Sequence, residues 1–208
     1  MLNFQKIIVA TKNDGKLREI KQLLSEFDLE ILSLKDFPEI GEIEEYGFSF
    51  YENSLIKAKT VYDITKIPTL ADDSGLCVDF LDGMPGIFSA RFAGKSTDVS
   101  DGNTDDKMNN QKLLKLLEGL PREERRAYFK CVMIFYYAPD KYVSASGKFE
   151  GYISETKSGE NGFGYDPLFY LPEYNKTSAE LSPDEKNKIS HRHKALIGVK
   201  NKLEELQI

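Results

Sequence analysis

The 208-residue sequence is poor in cysteine, histidine, net positive charge and long apolar runs. Its two cysteines, Cys77 and Cys131, both lie in apolar, strand-like stretches. They read as buried thiols, which argues against a disulfide framework and for a reducing, cytoplasmic location. The two histidines, His191 and His193, lack partner cysteines at metal-ligand spacing, so zinc fits poorly. Against 28 basic residues stand 34 acidic ones, a formal net charge of −6. That excludes a broad basic surface for duplex nucleic acid but leaves room for a local basic pocket that takes a small anion. No apolar run is long enough to cross a bilayer, and the N-terminal Met-Leu-Asn-Phe-Gln-Lys has no signal-peptide organisation. Neither nucleic acid nor membrane is therefore expected as a partner. There is no internal repeat, low-complexity tract or interdomain linker. With 40% hydrophobic and 30% charged residues, the chain reads as one globular domain, residues 1–208.

The richest stretch is residues 71–94. Here an apolar approach (residues 68–71) leads to Asp72-Asp73-Ser74-Gly75, then to a strand-like run (76–80), a glycine-rich turn and Arg91. Carboxylates at the end of a buried strand are costly unless they are paired, hydrogen-bonded or bound to a metal. Adjacent strand residues point to opposite faces, so Asp72 and Asp73 are expected to have different roles.

Residues 6–10 form a short β-branched strand, and Leu17, Ile20, Leu24 and Phe27 mark the helix that follows. The polar hexapeptide Thr11-Lys12-Asn13-Asp14-Gly15-Lys16 thus occupies a strand-to-helix turn, where free N–H groups and the helix dipole favour an anion. Taken alone, it reads more simply as an N-cap turn with solvated lysines. Glu39, Glu42, Glu44 and Glu45 crowd a loop ending at Gly47; such a run is usually solvated, yet one member can serve as a magnesium ligand. A helix over 49–65 is signalled by Ser49 and Glu52 as a capping box and by a stripe of Leu55, Ala58, Val61 and Tyr62, with Lys57 off that stripe.

Residues 95–106 read as a polar loop, and a helix then ends near Gly119. A long apolar strand (127–138) and an alternating one (142–153) read as a hairpin. The loop 159–167 carries Gly162-Phe163-Gly164-Tyr165-Asp166-Pro167 and offers close backbone approach and a flat ring, or equally a strand-entry turn with buried aromatics. Ser182-Pro183-Asp184-Glu185 starts a helix that carries Lys186, and Ser190-His191-Arg192 opens the last one. A cation at a helix start runs against the dipole preference, which makes Arg192 conspicuous. The element pattern points to a mixed-sheet α/β fold.

Four stretches, in order, resemble one family. They are Thr11 to Lys16; Ala71-Asp72-Asp73-Ser74-Gly75 with Pro85-Gly86 and Ser89-Ala90-Arg91; Gly162 to Pro167; and Glu185-Lys186 with Ser190-His191-Arg192. The chain is similar to the inosine triphosphate pyrophosphatases. The resemblance implies an α/β fold with a long mixed central sheet flanked by helices, two lobes around a nucleotide cleft, and a homodimer. It implies magnesium-dependent hydrolysis of ITP, dITP or XTP to the monophosphate and pyrophosphate, which cleanses the nucleotide pool. By position, Thr11, Lys12, Asn13, Asp14, Gly15, Lys16 and Lys57 are expected on the triphosphate. Asp73 is expected as magnesium ligand and general base, with Glu44 as the second ligand among the four neighbouring glutamates. Ser74 is expected to touch substrate. Phe163, Gly164, Tyr165 and Asp166 are expected to hold the nucleoside, and Lys186, His191 and Arg192 to read the base. Lys12 stands where the family often has glycine, and Phe92 where it usually has tyrosine. A magnesium phosphatase with an aspartate nucleophile fits less well, because Asp72-Asp73-Ser74 lacks the separated aspartate pair that such chemistry wants. A non-catalytic nucleotide-binding regulator is the remaining rival, and measured turnover of ITP separates it.

Overall fold

A computed structural model describes residues 4–25, 28–94 and 106–207. Phe27 of the expected first apolar stripe and residues 95–105 of the expected polar loop lie outside them. The β-branched run at the N-terminus extends as β1 (Lys6–Val9) and leads into α1 (Asp14–Leu23). Asn13 caps that helix by accepting from the Lys16 amide at 3.0 Å. β2 (Glu30–Ser33) runs parallel to β1, with Ile7 opposite Ile31 and Ile8 opposite Leu32. α2 (Phe50–Thr65) begins at Ser49, whose hydroxyl accepts from the Glu52 amide at 3.2 Å, while the Glu52 carboxylate accepts from the Phe48 amide at 2.7 Å.

β3 (Thr69–Val78) pairs parallel with β1 and differs from expectation. The two carboxylates do not end a strand; they sit in the middle of one continuous ten-residue strand. α3 (Asp106–Leu116) follows, then β4 (Arg126–Ala138) and β5 (Lys141–Ile153), joined through Pro139 and Asp140, the latter at φ +54°. The short strands extend the sheet further: β6 (Phe169–Leu171) pairs antiparallel with β5, and β7 (Lys176–Thr177) antiparallel with β6. The chain closes with α4 (Pro183–Ile189) and α5 (His191–Glu205). Strand order is β2-β1-β3-β4-β5-β6-β7, parallel from β2 to β3 and antiparallel from β5 to β7, a mixed α/β sheet as expected.

Two compact units make up the chain. One contains the described residues up to Asp73, Cys131–Gly147 and those from Ser190 on; the other contains Ser74–Lys130 and Lys148–Ile189. In the first unit, strand alternation sorts two cores. Leu70, Cys131, Met133 and Phe135 pack with Ile20 of α1 and with Ala195 and Val199 of α5, whereas Ala71, Ile134 and Tyr136 pack with Ala58 and Val61 of α2. Gly147 lets β5 approach α5 closely, since a Cβ there would lie 2.2 Å from the His191 carbonyl oxygen. The second unit has its own aromatic core, in which the rings of Phe129 and Phe169 are 4.6 Å apart. Arg125 is buried in it with its guanidinium satisfied by the Ile153, Leu117 and Ser154 carbonyls at 2.6, 2.7 and 2.8 Å.

Candidate active site

Because β3 alternates, Asp72 and Asp73 enter different surroundings. Asp72 shares the face of Leu70. Its Oδ2 lies 3.2 Å from Lys16 Nζ and 3.4 Å from Arg192 Nε, and Arg192 also pairs with the Glu19 carboxylate. Burial by itself would raise the Asp72 pKa, but Lys16 foremost, then Arg192 and Lys57, hold it well below the usual carboxylate range. Asp72 is therefore an ionised hub tying α1, β3 and α5 together. The Cys131 thiol, 3.9 Å from Asp72 Oδ2, is pushed up by burial and by that negative charge, and is inert.

Asp73 shares the face of Ala71. Lys57 Nζ stands 3.8 Å from Asp73 Oδ1 and 3.2 Å from Glu45 Oε1. Asn53 donates Nδ2–H to Asp73 Oδ2 at 3.1 Å. Burial raises the Asp73 pKa, and the opposing pull of Lys57 and Lys16 does not cancel it. Two neighbouring carboxylates thus contrast: surrounding charges hold the pKa of one down, while burial raises that of the other.

Lys57, although off the apolar stripe, is buried. The buried face of α2 carries Phe50, Asn53, Ser54, Lys57, Ala58, Val61 and Tyr62, so the polar pair Asn53 and Lys57, one turn apart, lies on the inward face. Asn53 is fully buried, and its Oδ1 accepts from the Gly47 amide at 2.9 Å. It thereby holds the loop that carries the glutamates. Glycine is required at 47, where a Cβ would fall 2.6 Å from Glu52 Cβ. The glutamate that this loop brings to Lys57 is Glu45. Glu44, the residue expected as second ligand, is exposed and makes no ion pair among the described residues. Neighbouring loop residues cannot be ranked from sequence, because no periodicity fixes which one points inward.

The hexapeptide forms the expected strand-to-helix turn. Thr11 accepts from the Asn13 amide at 3.2 Å, Lys12 is exposed, and Gly15 opens the helix with Asp14. Asp14 points its carboxylate at exposed Lys35, 2.7 Å away.

Ser74 is half-buried on β3. The next residue, Gly75, is fixed by packing: a Cβ there would lie 2.3 Å from both the Gly86 oxygen and Ser89 Oγ. Ser89 accepts from the Leu76 amide at 2.9 Å and donates to the Gly86 oxygen at 2.6 Å, so this part of the 71–94 stretch is a structural seam.

In the second unit, Asp166 organises the glycine-rich loop. Its Oδ2 accepts from the Phe163 amide at 2.9 Å and from Lys186 Nζ at 2.6 Å, and its Oδ1 from Ser178 Oγ at 2.9 Å. Gly162, at φ +80°, admits that carboxylate, since a Cβ would fall 2.1 Å from Asp166 Oδ2. The Lys186 ammonium stands 5.2 Å from the centre of the half-buried Phe163 ring, a cation and a flat face held side by side. Tyr165 belongs to the core, and its hydroxyl donates to the Ser89 oxygen at 2.9 Å. Lys186, His191 and Arg192 were expected to read the base. Lys186 belongs to the Asp166 cluster of the second unit, while His191 and Arg192 are buried at the start of α5 in the first, with Arg192 bound by Glu19 and Asp72. Sequence reasoning missed Asn53, Glu19 and Ser178, and left Glu45 as one of four candidate glutamates. For Asn53 a usable signal was its helical spacing to Lys57 and Val61.

A model of the Ham1 family matches residues 7–202. A protein of Listeria monocytogenes serotype 4b named dITP/XTP pyrophosphatase is 47% identical over 201 residues, 97% of this chain and 96% of that one. The structure of a HAM1 protein from Coxiella burnetii superposes with a TM-score of 0.84 at 39% identity, covering 97% of this chain and all of the other. A Mycobacterium abscessus structure described as nucleoside-triphosphatase / dITP/XTP pyrophosphatase gives 0.73 at 41% identity, over 93% of this chain and 97% of that one.

Proposed function

This chain belongs to the Ham1 family, and we propose that it hydrolyses nucleoside triphosphates of deaminated purines (dITP, XTP and ITP) to the monophosphate and pyrophosphate. The observation that carries the reading is the divergence of two adjacent carboxylates: Asp72 is held ionised by Lys16 and Arg192, while burial raises the pKa of Asp73 beside Lys57. Asp73, held by Asn53 at 3.1 Å and standing 3.8 Å from Lys57, is the proton acceptor for an attacking water. The water attacks the α-phosphorus, its proton passes to Asp73, and the bond from that phosphorus to the bridging oxygen of pyrophosphate breaks. Lys57 and Lys16 offset the negative charge of the departing pyrophosphate. The turn from Thr11 to Lys16 presents amides, hydroxyl and ammonium to the phosphates.

Magnesium fits the donor set. Asp73 and Glu45 both lie within 4 Å of the single ammonium of Lys57, two carboxylates to one cation. Among the described residues no group of three or more acidic, histidine or cysteine side chains could hold a metal by itself. Magnesium ordinarily takes one or two carboxylates together with substrate phosphates, which suits this pair. Bound by Asp73 and Glu45, the ion would neutralise phosphate charge and acidify water.

For the nucleoside, Phe163 offers a stacking face and Lys186 a donor for a 6-oxo group. An adenine amino group would leave such a donor unmatched, a type of site that discriminates strongly. The family resemblance also carries the expectation of a homodimer. The test compares pyrophosphate release from dITP, XTP, ITP, GTP and ATP with magnesium present. Preference for the deaminated bases is expected. Release of inorganic phosphate alone, binding without turnover, or equal rates for ATP and ITP would overturn the reading.

A further inference from the structure

The glycine-rich loop of the second unit is gripped from a helix to which no role has been given. Gly164, at φ +64°, has both backbone polar groups engaged by α3. Its amide donates to Asp106 Oδ2 at 2.7 Å, and its carbonyl accepts from Asn110 Nδ2 at 2.9 Å. Asp106 and Asn110 are one turn apart and so share a face of the helix. The preceding amide, that of Phe163, is held by Asp166. The Phe163 ring therefore projects from a backbone anchored on both sides.

Asn110 is an odd residue to find where it is. It is 3% exposed, and Leu113, three residues on, is a core residue on the same side of the helix. An apolar side chain would serve packing better, and Asn110 Oδ1 is left without a hydrogen-bond partner among the described residues. A buried, half-satisfied amide destabilises the fold unless its remaining bond matters. That bond goes to Gly164.

We propose that Asp106 and Asn110 are positioning residues for nucleobase binding: from one face of α3 they hold the Gly164 peptide and so set where the Phe163 ring stands. The role rests on the reading above, in which Phe163 meets the purine. It differs from a purely structural role in what it changes. Loosening Gly164 leaves the groups around Asp73 untouched, so binding suffers and the chemical step does not.

The experiment measures kcat and KM for dITP in Asp106→Ala, Asp106→Asn and Asn110→Ala, with hydrogen exchange followed in peptides spanning Gly164. Asp106→Ala should raise KM roughly 5- to 10-fold with kcat within about twofold, the net size expected for one lost hydrogen bond at an exposed position. Exchange at Gly164 should quicken. Asparagine at 106 keeps an acceptor oxygen and should restore most of both. Asp106 is exposed, so its variants report even if Asn110→Ala does not fold. Unchanged KM in Asp106→Ala, a loss in kcat alone, or Asp106→Asn as impaired as Asp106→Ala would each overturn the proposal. If the wild type turns over none of the deaminated-purine nucleotides, the pyrophosphatase reading fails and the base-positioning role falls with it, while the exchange difference persists. A failed grip looks different: the wild type turns over and the variants match it in KM and exchange.

Discussion

Asn53 Nδ2 lies 3.1 Å from Asp73 Oδ2, and the same side chain accepts from the Gly47 amide through Oδ1. One fully buried amide therefore aims the proposed base and holds the loop bearing Glu45. Asn53→Ala should lower kcat for dITP about tenfold and destabilise the fold by about 1–3 kcal/mol, because two buried polar groups lose their partner. Initial rates of pyrophosphate release and urea titration measure the two effects. A variant with wild-type kcat would remove Asn53 from the site.

Asp73→Asn and Asp72→Asn should behave oppositely in stability. The folded Asp73 pKa is raised above its model value of 3.8. Its ionisation therefore lowers stability as pH rises from that value through the folded pKa. Asp73→Asn removes that penalty and, measured at pH 7 without divalent metal, should be at least as stable as wild type. Its kcat should fall by at least about 100-fold, the loss of a general base.

The folded Asp72 pKa is depressed below 3.8, so its contribution is fully present above that value and is lost as pH falls through the folded pKa. Asp72→Asn strips Lys16 and Arg192 of a buried counter-charge and should destabilise by about 3 kcal/mol at pH 7. Thermal unfolding of the two variants side by side checks the contrast.

Glu45→Gln and Glu44→Gln separate the two candidate ligands. The first should raise the magnesium concentration needed for half-maximal turnover about tenfold, as expected for one fewer charged donor. The second should leave it unaltered. The reverse result would return the role to Glu44.

Lys186→Met should narrow the preference for dITP over dATP about tenfold, since one donor to the base edge is lost. Ratios of kcat/KM for the two nucleotides measure it. An unchanged ratio would move base reading elsewhere.

The elements most legible in the sequence were those with chemical punctuation. The Ser49 and Ser190 caps and the Ser182-Pro183 start give α2, α5 and α4 to within a residue or two. The apolar run through Ala138 and the alternating one after it give the β4–β5 pair. β6 and β7 were not legible, because strands of three and two residues carry too little pattern. In β3 the polar residues broke the apolar run, and an unbroken strand read as two pieces. The burial of Lys57 was not legible from its spacing, because the buried face of α2 is itself partly polar, which a search for apolar periodicity passes over. Arg192 stood out as a cation at a helix start, but its partners Glu19 and Asp72 are distant in sequence, and no local pattern names them.

The unbroken course of β3 makes that strand sensitive to length in a way that substitutions do not reveal. Asp72 and Asp73 are told apart only by the parity of their positions along one ribbon. Inserting or deleting one residue between Thr69 and Asp72 would exchange their faces. Inserting one would deliver the residue meant for Lys16 to Lys57; deleting one would deliver the residue meant for Lys57 to Lys16. Composition, charge and hydrophobicity would hardly change, yet after a deletion the proposed base would stand among the groups that keep a carboxylate ionised. The count of residues in this strand is thus itself part of the active-site chemistry.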